Sequence, residues 1–168
     1  MNIRGQTGLN DAKQLQIEHF IKFHGVDILN CQEINIVDDS FQNCNFIKSS
    51  YDIIPNNASN KYGTCCLVAN NLVTENIKKD TKGRIIAFDV ENITFCNVYL
   101  PSGNDPIKKN SRENYIAETL PQILINAQDN VCIGGDWNCV VEAKDATRNL
   151  NSKKFLLERQ FQNSTPIC

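Results

Sequence analysis

The stretch VCIGGDWN at residues 131–138 joins a short apolar run to two glycines and a polar end. An apolar run of this length that stops at glycines is typical of a buried strand. The strand itself does not need Asp136 and Asn138, which come after it. The stretch therefore predicts either a tight turn in which Asp136 accepts a local hydrogen bond, or a strand end that carries functional side chains.

Other predicted strands also end in polar residues. Residues 26–33, VDILNCQE, form an apolar run that ends in Glu33, and residues 97–101, NVYLP, place Tyr99 before a proline. Asn2 lies in a short predicted strand that ends at Gly5. Taken singly, Glu33 is more typical of a solvated strand end, and Tyr99 of an aromatic residue at the core or its rim. Each signal is weak alone, so the interpretation depends on whether the fold brings them together.

The remaining pattern predicts an α/β domain. Asn10 and Asp11 offer an N-cap for a helix that runs to about His24 and ends at Gly25. Its predicted apolar face consists of Ala12, Leu15, Phe20 and Phe23, with Ile17 and Ile21 beside them. Strands are predicted at residues 1–5, 26–33, 46–54, 63–69, 84–90, 93–100 and 131–136, and a helical region at 111–127 is divided by Pro121. This order predicts mixed sheets with helices outside them.

Composition limits the class of protein. A chain of 168 residues fits one domain, and its net charge of −2 does not support tight nucleic-acid binding, which usually requires a basic face. No apolar run approaches the roughly 20 residues that cross a bilayer, and no secretory signal begins the sequence. The eight cysteines show no C-x-x-C spacing, which favours reduced, structural thiols. We expect a soluble intracellular chain, in the nucleus or the cytoplasm, that is not secreted and does not bind a membrane.

The polar strand ends form an ordered set: Asn-x-x-Gly, apolar strand–Gln–Glu, Asn-x-Tyr-x-Pro and Gly-Asp-Trp-Asn. This set resembles the endonuclease/exonuclease/phosphatase superfamily. It is most similar to the apurinic-type endonuclease domain of non-LTR (LINE-type) retrotransposons, through NIRGQTG, VDILNCQEINI, YLPSGND and GGDWNCVVEAKDATRN. The resemblance implies an α/β fold, a four-layer α/β/β/α sandwich of two mixed sheets (DNase I-like), over residues 1–150. Residues 151–168 form an unmatched C-terminal tail.

The resemblance also implies roles for individual residues. Glu33 matches the Mg²⁺-binding glutamate and Asn2 the asparagine beside it, and Tyr99 matches a tyrosine that contacts the scissile phosphate. Asp136 matches an aspartate that orients or deprotonates the attacking water, and Asn138 matches its neighbour, which positions that aspartate and the phosphate. Mg²⁺ prefers oxygen ligands, and Mn²⁺ accepts the same ones.

Two further matches have structural alternatives. Asp145, in EAKDATRN, corresponds to an aspartate that is either a site residue or a loop cap. Arg112, in NSREN, corresponds either to a substrate contact that faces the nucleic acid or to a solvated helix start.

One part of the family pattern is missing from the chain. The family completes its site with a C-terminal Asp–His pair, whereas His19 and His24 here both fall in the first predicted helix. We therefore expect a sandwich that is incomplete at its C-terminus, marginally stable and nearly inactive.

The resemblance implies a function, with two alternatives. It implies Mg²⁺-dependent phosphodiester hydrolysis that nicks DNA in retrotransposition, within a polyprotein that also carries a reverse transcriptase. One alternative is a phosphatase or phosphodiesterase of the same superfamily that acts on nucleotides, lipids or inositol phosphates. The other is a non-catalytic remnant of a retrotransposon. The oligomeric state stays open.

Overall fold

A computed structural model describes residues 1, 10–34, 44–59 and 62–139. The helices are α1 (Asp11–His24), α2 (Asn45–Ser50), α3 (Pro106–Asn114) and α4 (Leu120–Ile123), and a π-helical turn (Tyr115–Thr119) joins the last two. The strands are β1 (Ile28–Gln32), β2 (Tyr51–Ser59), β3 (Tyr62–Ala69), β4 (Glu75–Lys79), β5 (Ile85–Val90), β6 (Ile93–Tyr99) and β7 (Asn130–Asp136).

The strands form two sheets. Sheet A has the order β1-β3-β2 and is antiparallel throughout its described strands. Sheet B has the order β4-β5-β6-β7 and is mixed, because β6 and β7 run parallel while the other pairs are antiparallel. The predicted hairpin of β5 and β6 is confirmed, with its turn at Glu91 and Asn92.

Three apolar clusters stack the elements into four layers. One cluster joins α1 to sheet A through Ile17, Ile21 and Leu29. A second fills the space between the sheets: Ile54, Cys66, Val68, Ile86, Phe88 and Val90. The third joins sheet B to the helical segment after β6, through residues such as Val98 and Tyr115. The predicted fold class, an α/β/β/α sandwich with helices outside two sheets, is confirmed.

Helix α1 begins and ends as predicted, but its buried face differs. The Asn10 side chain accepts a hydrogen bond from the Lys13 amide at 3.0 Å, and Gly25 ends the helix with a left-handed backbone. The predicted burial is confirmed for Ile17 and Ile21 but was wrong for Leu15 and Phe23, which are 65% and 76% exposed. The buried stripe consists of Gln14 and these two isoleucines. The helix carries two apolar stripes, and periodicity alone does not determine which one packs against a sheet.

Two strand predictions need correction. Residues 46–50 form most of α2 rather than the start of a strand, because a short apolar run does not distinguish a helix from a strand. β4 was not predicted. It is a charged, largely exposed strand at the edge of sheet B, so it has no alternating apolar pattern.

The helical segment after β6 begins earlier than predicted. Asp105 caps α3 by accepting from the Lys108 amide at 3.0 Å, and Pro106 occupies the first turn. Pro121 divides the segment as predicted, since it lies in the first turn of α4, directly after the π-helical turn. The predicted strand at 1–5, apart from Met1, and the segment after Asn151 lie outside the described residues.

Within the part of the chain that the structure describes, no helix is both long and apolar enough to cross a membrane.

Gly135 is required by the pairing of β6 with β7. Its φ is +143°, and a Cβ atom built on it would lie 1.9 Å from the backbone oxygen of Val98. Gly134 has a very different environment, because a Cβ atom built on it would meet only the Asn30 side chain, with Nδ2 at 3.5 Å. Only the second glycine of the pair therefore allows the two strands to approach.

We expect Gly135→Ala to lower the free energy of unfolding by about 3 kcal/mol or more, since it adds both a backbone clash and a disfavoured φ. Gly134→Ala is the matched control and should change the stability by less than about 1 kcal/mol. Urea denaturation followed by circular dichroism measures both. Equal effects of the two substitutions would contradict this account of the β6–β7 contact.

Candidate functional site

The strands of both sheets that carry predicted site residues end at one edge of the sandwich. β6 and β7 run parallel, and their register sets Tyr99 opposite Asp136. Glu33, which directly follows β1, lies beside them: the Tyr99 hydroxyl donates a hydrogen bond to Glu33 Oε1 at 3.2 Å. The fold therefore brings Glu33 and Asp136, which lie far apart in the sequence, to the same tyrosine.

Glu33 follows β1 with a left-handed backbone conformation, at a φ of 55°. This conformation is uncommon for a residue other than glycine and costs about 1 kcal/mol or more. The next residue, Ile34, is buried, and its amide donates to the backbone oxygen of Gly63 at 3.2 Å. These constraints hold the half-buried Glu33 carboxylate at the rim of sheet A, next to Tyr99.

The environment of Tyr99 favours its protonated form. Burial, followed by the charge and the hydrogen bond of Glu33, raises the pKa of Tyr99 to about 12. The Asp136 charge acts in the same direction, while Arg84 opposes it. The Tyr99 hydroxyl is therefore neutral near pH 7 and serves as a hydrogen-bond donor.

Arg84 is a neighbour of Tyr99 that the sequence analysis did not single out. Its Nη1 donates to the backbone oxygen of Tyr99 at 3.1 Å, and its guanidinium lies 5.0 Å from the centroid of the tyrosine ring. Asp80 orders the preceding turn by accepting hydrogen bonds from three backbone amides within residues 82–85. The segment DTKGR, at 80–84, carries a turn signal, but nothing in it indicates that its arginine reaches Tyr99.

Asp136 and Asn138 form a turn at the end of β7. The backbone amide of Asn138 donates to Asp136 Oδ1 at 3.1 Å, and Asn138 Nδ2 donates to the backbone oxygen of Leu100 at 2.7 Å. Asn138 also has a left-handed backbone, with a φ of 49°. The local hydrogen bond is the one expected for a tight turn, and it orients the Asp136 carboxylate at the edge where Tyr99 lies.

Arg112 does not lie where a substrate contact or a solvated helix start would place it. Its side chain is buried, and Nη1 donates to the backbone oxygens of Pro101 and Gly103, both at 2.7 Å. It lies in the last turn of α3, from which it folds back onto the loop after β6. In this structure Arg112 orders that loop, and the expectation that it faces nucleic acid is corrected.

Two predicted site residues, Asn2 and Asp145, lie outside the described residues. Met1, which precedes Asn2 in the sequence, runs beside the end of β1: its backbone oxygen accepts from the Gln32 amide at 3.0 Å. The roles of Asn2 and Asp145 stay predictions.

Glu33 is the carboxylate that contacts the Tyr99 hydroxyl, and the Asp136 carboxylate lies near the same tyrosine, on the next strand. The described residues contain no group of three or more His, Cys, Asp or Glu side chains that could hold a metal ion. The two histidines, His19 and His24, lie on α1 as predicted. Mg²⁺ typically keeps several waters and takes one or two carboxylates plus substrate phosphate oxygens. Glu33 fits that donor set, and Mn²⁺ accepts the same oxygen atoms.

A cavity of about 630 Å³ lies between the turn after β4 and the helical segment after β6. Its lining includes Lys79, Lys82, Asn110 and Asn114, and it includes none of the predicted site residues. The side chains gathered around Tyr99, which are Glu33, Asp136 and Asn138, are therefore not part of this cavity.

Comparisons with known proteins identify the fold. No protein-family model and no curated protein matches the sequence. Among solved structures, TDP2 from C. elegans matches 90% of this chain and 49% of its own, with a TM-score of 0.61 and 20% identity. The 3′ phosphatase NExo from Neisseria, bound to product DNA hairpin, matches 86% and 58%, with a TM-score of 0.66 and 17% identity.

An AP endonuclease from Archaeoglobus fulgidus matches 84% of this chain and 56% of its own, with a TM-score of 0.64 and 19% identity. These proteins have the endonuclease/exonuclease/phosphatase (DNase I-like) fold, and the chain has this fold too. Identities of this size establish the fold and not the activity. The chain spans about half to three-fifths of the length of these three structures.

The raised pKa of Tyr99 predicts how its removal changes alkaline stability. An unfolded tyrosine ionises near pH 10, whereas the folded Tyr99 keeps its proton up to about pH 12. Its contribution to stability is therefore present below pH 10 and is lost between pH 10 and 12. We expect the stability of Tyr99→Phe to fall less steeply over that range, as measured by urea denaturation.

Phe95→Leu is the control for this measurement. It changes another aromatic residue of β6 but removes no titrating group, so its stability should fall with pH as steeply as that of the wild type. An unchanged slope in Tyr99→Phe would contradict the raised pKa.

Proposed function

We propose that this chain forms the metal-binding and phosphate-binding part of a site for Mg²⁺-dependent phosphodiester hydrolysis, and that its substrate is DNA. The observation that carries the proposal is the contact between Tyr99 and Glu33, with Asp136 opposite Tyr99 in the next strand. An oxygen ligand for a hard metal, a neutral donor and a second carboxylate are thereby assembled at one open edge. The DNA-bound neighbours, NExo with a DNA hairpin and TDP2 from D. rerio with a single-strand DNA product, favour a DNA substrate.

In this proposal Glu33, together with Asn2, holds the metal. The bound metal would stabilise the charge that grows on the phosphoryl and leaving oxygens. Tyr99 remains protonated near neutral pH, and its one hydroxyl proton, which is donated to Glu33 in this structure, would be donated to a phosphate oxygen once Glu33 holds the metal. One such preorganised donor contributes roughly 3 kcal/mol to transition-state stabilisation.

Asp136 orients the attacking water or removes its proton. Its carboxylate is held by the Asn138 amide, and the Asn138 side chain is held by the backbone of Leu100. In the described arrangement Asn138 therefore positions Asp136 rather than donating to substrate from its side chain. A role for Asp145 beside them would complete the set that the resemblance implies.

The chain's two histidines affect the expected rate. Both lie on α1, so neither supplies the acid–base group that accompanies these carboxylates in the family. The net charge of −2 also predicts weak, salt-sensitive binding to DNA. We therefore expect metal binding to be the clearer activity of the 168-residue chain and nicking to be slow.

The LINE-type retrotransposon is the source that we propose for the domain. NIRGQTG and EAKDATRN support it, as does the order of the polar strand ends. A parent polyprotein would then carry a reverse transcriptase. Translation of the genomic DNA that follows the codon of Cys168 tests this: an Asp–His pair and a reverse transcriptase should appear in one of the frames, and their absence from every frame would contradict it.

Two alternatives are distinguishable. A phosphatase of the same superfamily is favoured by NExo, which is described as a 3′ phosphatase. It would release phosphate from a 3′-phosphorylated oligonucleotide and leave a supercoiled plasmid intact. A non-catalytic remnant, which the positions of the two histidines favour, would do neither.

The proposed metal site predicts that Glu33→Gln weakens Mn²⁺ binding by about tenfold or more, because it removes the negative charge of the carboxylate that is proposed to hold the metal. Electron paramagnetic resonance of Mn²⁺ measures the binding, and plasmid nicking in Mg²⁺ measures the hydrolysis. We expect slow nicking by the wild-type chain that is abolished in Glu33→Gln.

Glu91→Gln is the matched control for Glu33→Gln. Glu91 also has a left-handed backbone, with a φ of 53°, but it lies in the exposed hairpin turn at the other end of β6. It should change neither Mn²⁺ binding nor nicking. Unchanged Mn²⁺ binding in Glu33→Gln would overturn the proposed metal site.

A further inference from the structure

A pair of buried amide side chains crosses the interface between the two sheets. Gln32 Nε2 on β1 donates to Asn97 Oδ1 on β6 at 2.7 Å. Asn97 is fully buried, and Gln32 is 2% exposed. Elsewhere the described contact between the sheets is mainly apolar, apart from a second buried amide on β2, Asn56, whose Nδ2 donates to the backbone oxygen of Ile85 on β5 at 2.9 Å. The Gln32–Asn97 pair therefore provides directional bonds at the site end of the interface, where apolar packing alone has little directional preference.

Asn97 is bound to sheet A through every polar atom of its side chain. Besides accepting from Gln32, it donates from Nδ2 to the backbone oxygens of Cys31 and Cys65, at 3.1 Å each. These partners lie on β1 and β3, whereas Asn97 belongs to sheet B. Because an unpaired amide in this dry interface would be costly, the sheets are held in the position that satisfies all three bonds.

The pair lies directly behind the candidate site in both strands. Gln32 immediately precedes Glu33, and Asn97 lies two residues before Tyr99 on the same face of β6. The intervening residue, Val98, faces the helical layer instead. A shift of one sheet against the other would break the amide bonds and would also separate the Tyr99 hydroxyl from Glu33.

We propose that Asn97, together with Gln32, is a positioning residue that sets the distance between Glu33 and Tyr99. In this proposal the pair contacts neither metal nor substrate. It acts through Glu33, which follows Gln32, and through Tyr99, which lies two residues after Asn97. Its effect on hydrolysis rests on the proposed function, but its effect on the geometry does not.

The test labels the chain with 3-fluorotyrosine and follows the ¹⁹F resonance of Tyr99, which is assigned with Tyr99→Phe. In the wild-type background, Glu33→Gln should shift this resonance, since the hydroxyl donates to Glu33. In the Asn97→Leu background, the same substitution should shift it by less than half as much. Asn97→Leu keeps a similar volume but removes the three bonds that Asn97 makes to sheet A.

Thr94→Val is the matched control on the same strand. Thr94 is buried, and its hydroxyl donates to Asp89 Oδ1, far from Tyr99 along β6. It should lower stability while leaving the response of Tyr99 to Glu33→Gln unchanged. A full response in Asn97→Leu would overturn the proposal, and so would a reduced response in Thr94→Val equal to that in Asn97→Leu.

Gln32→Met covers the case in which Asn97→Leu does not fold. It keeps the length of the side chain and leaves the two bonds from Asn97 to the backbone of sheet A in place. We expect it to reduce the response of Tyr99 in the same direction, and a full response would overturn the proposal.

Nicking kinetics supply the functional readout. A positioning role predicts that Gln32→Met or Asn97→Leu lowers kcat by about tenfold or more with KM nearly unchanged, because the misplaced groups act on the reacting phosphate. A change confined to KM would contradict that role. Failure of the proposed function is recognised separately, by Mn²⁺ binding that does not respond to Glu33→Gln while the ¹⁹F responses remain as expected.

Discussion

The candidate site depends on the face-to-face contact between the two sheets. Glu33 follows a strand of one sheet, whereas Tyr99 and Asp136 belong to the other. Apolar side chains such as Phe88 supply most of this contact. Apolar burial is strong but non-directional, so it allows the sheets to slide by small amounts. The buried hydrogen bonds of Asn97 are directional, and they lie next to Glu33 and Tyr99, whose separation a small slide would change.

The chemistry of the open edge follows from partial burial and nearby charge. Tyr99 is buried, and its hydroxyl donates a hydrogen bond to the Glu33 carboxylate. Arg84 donates to its backbone oxygen. Its proton is therefore retained, and its hydroxyl is directed at a carboxylate oxygen. The same fold occurs in TDP2, NExo and an AP endonuclease, which shows that the sandwich accommodates several activities. The function has to be argued from the residues at the edge.

Local signals determined much of this fold. Asn10 and Gly25 delimit α1 because an N-cap side chain and a left-handed C-cap act within one turn of the helix. The β5–β6 hairpin follows from two apolar runs around a two-residue turn. Glu33, Tyr99, Asp136 and Asn138 were recognised only because their order resembles a known family, since each of them alone has an ordinary structural explanation.

Tertiary contacts decided the rest. Leu15 and Phe23 are exposed because α1 has two apolar stripes, and only sheet A selects the one that is buried. The reach of Arg84 to Tyr99 and the bonds from Asn97 to sheet A join residues 15 to 66 positions apart, beyond any local pattern. The sequence by itself determined which side chains stand at the strand ends. Only the packing of one sheet on the other decided that these side chains meet, because the distances between them depend on contacts between segments remote in the chain.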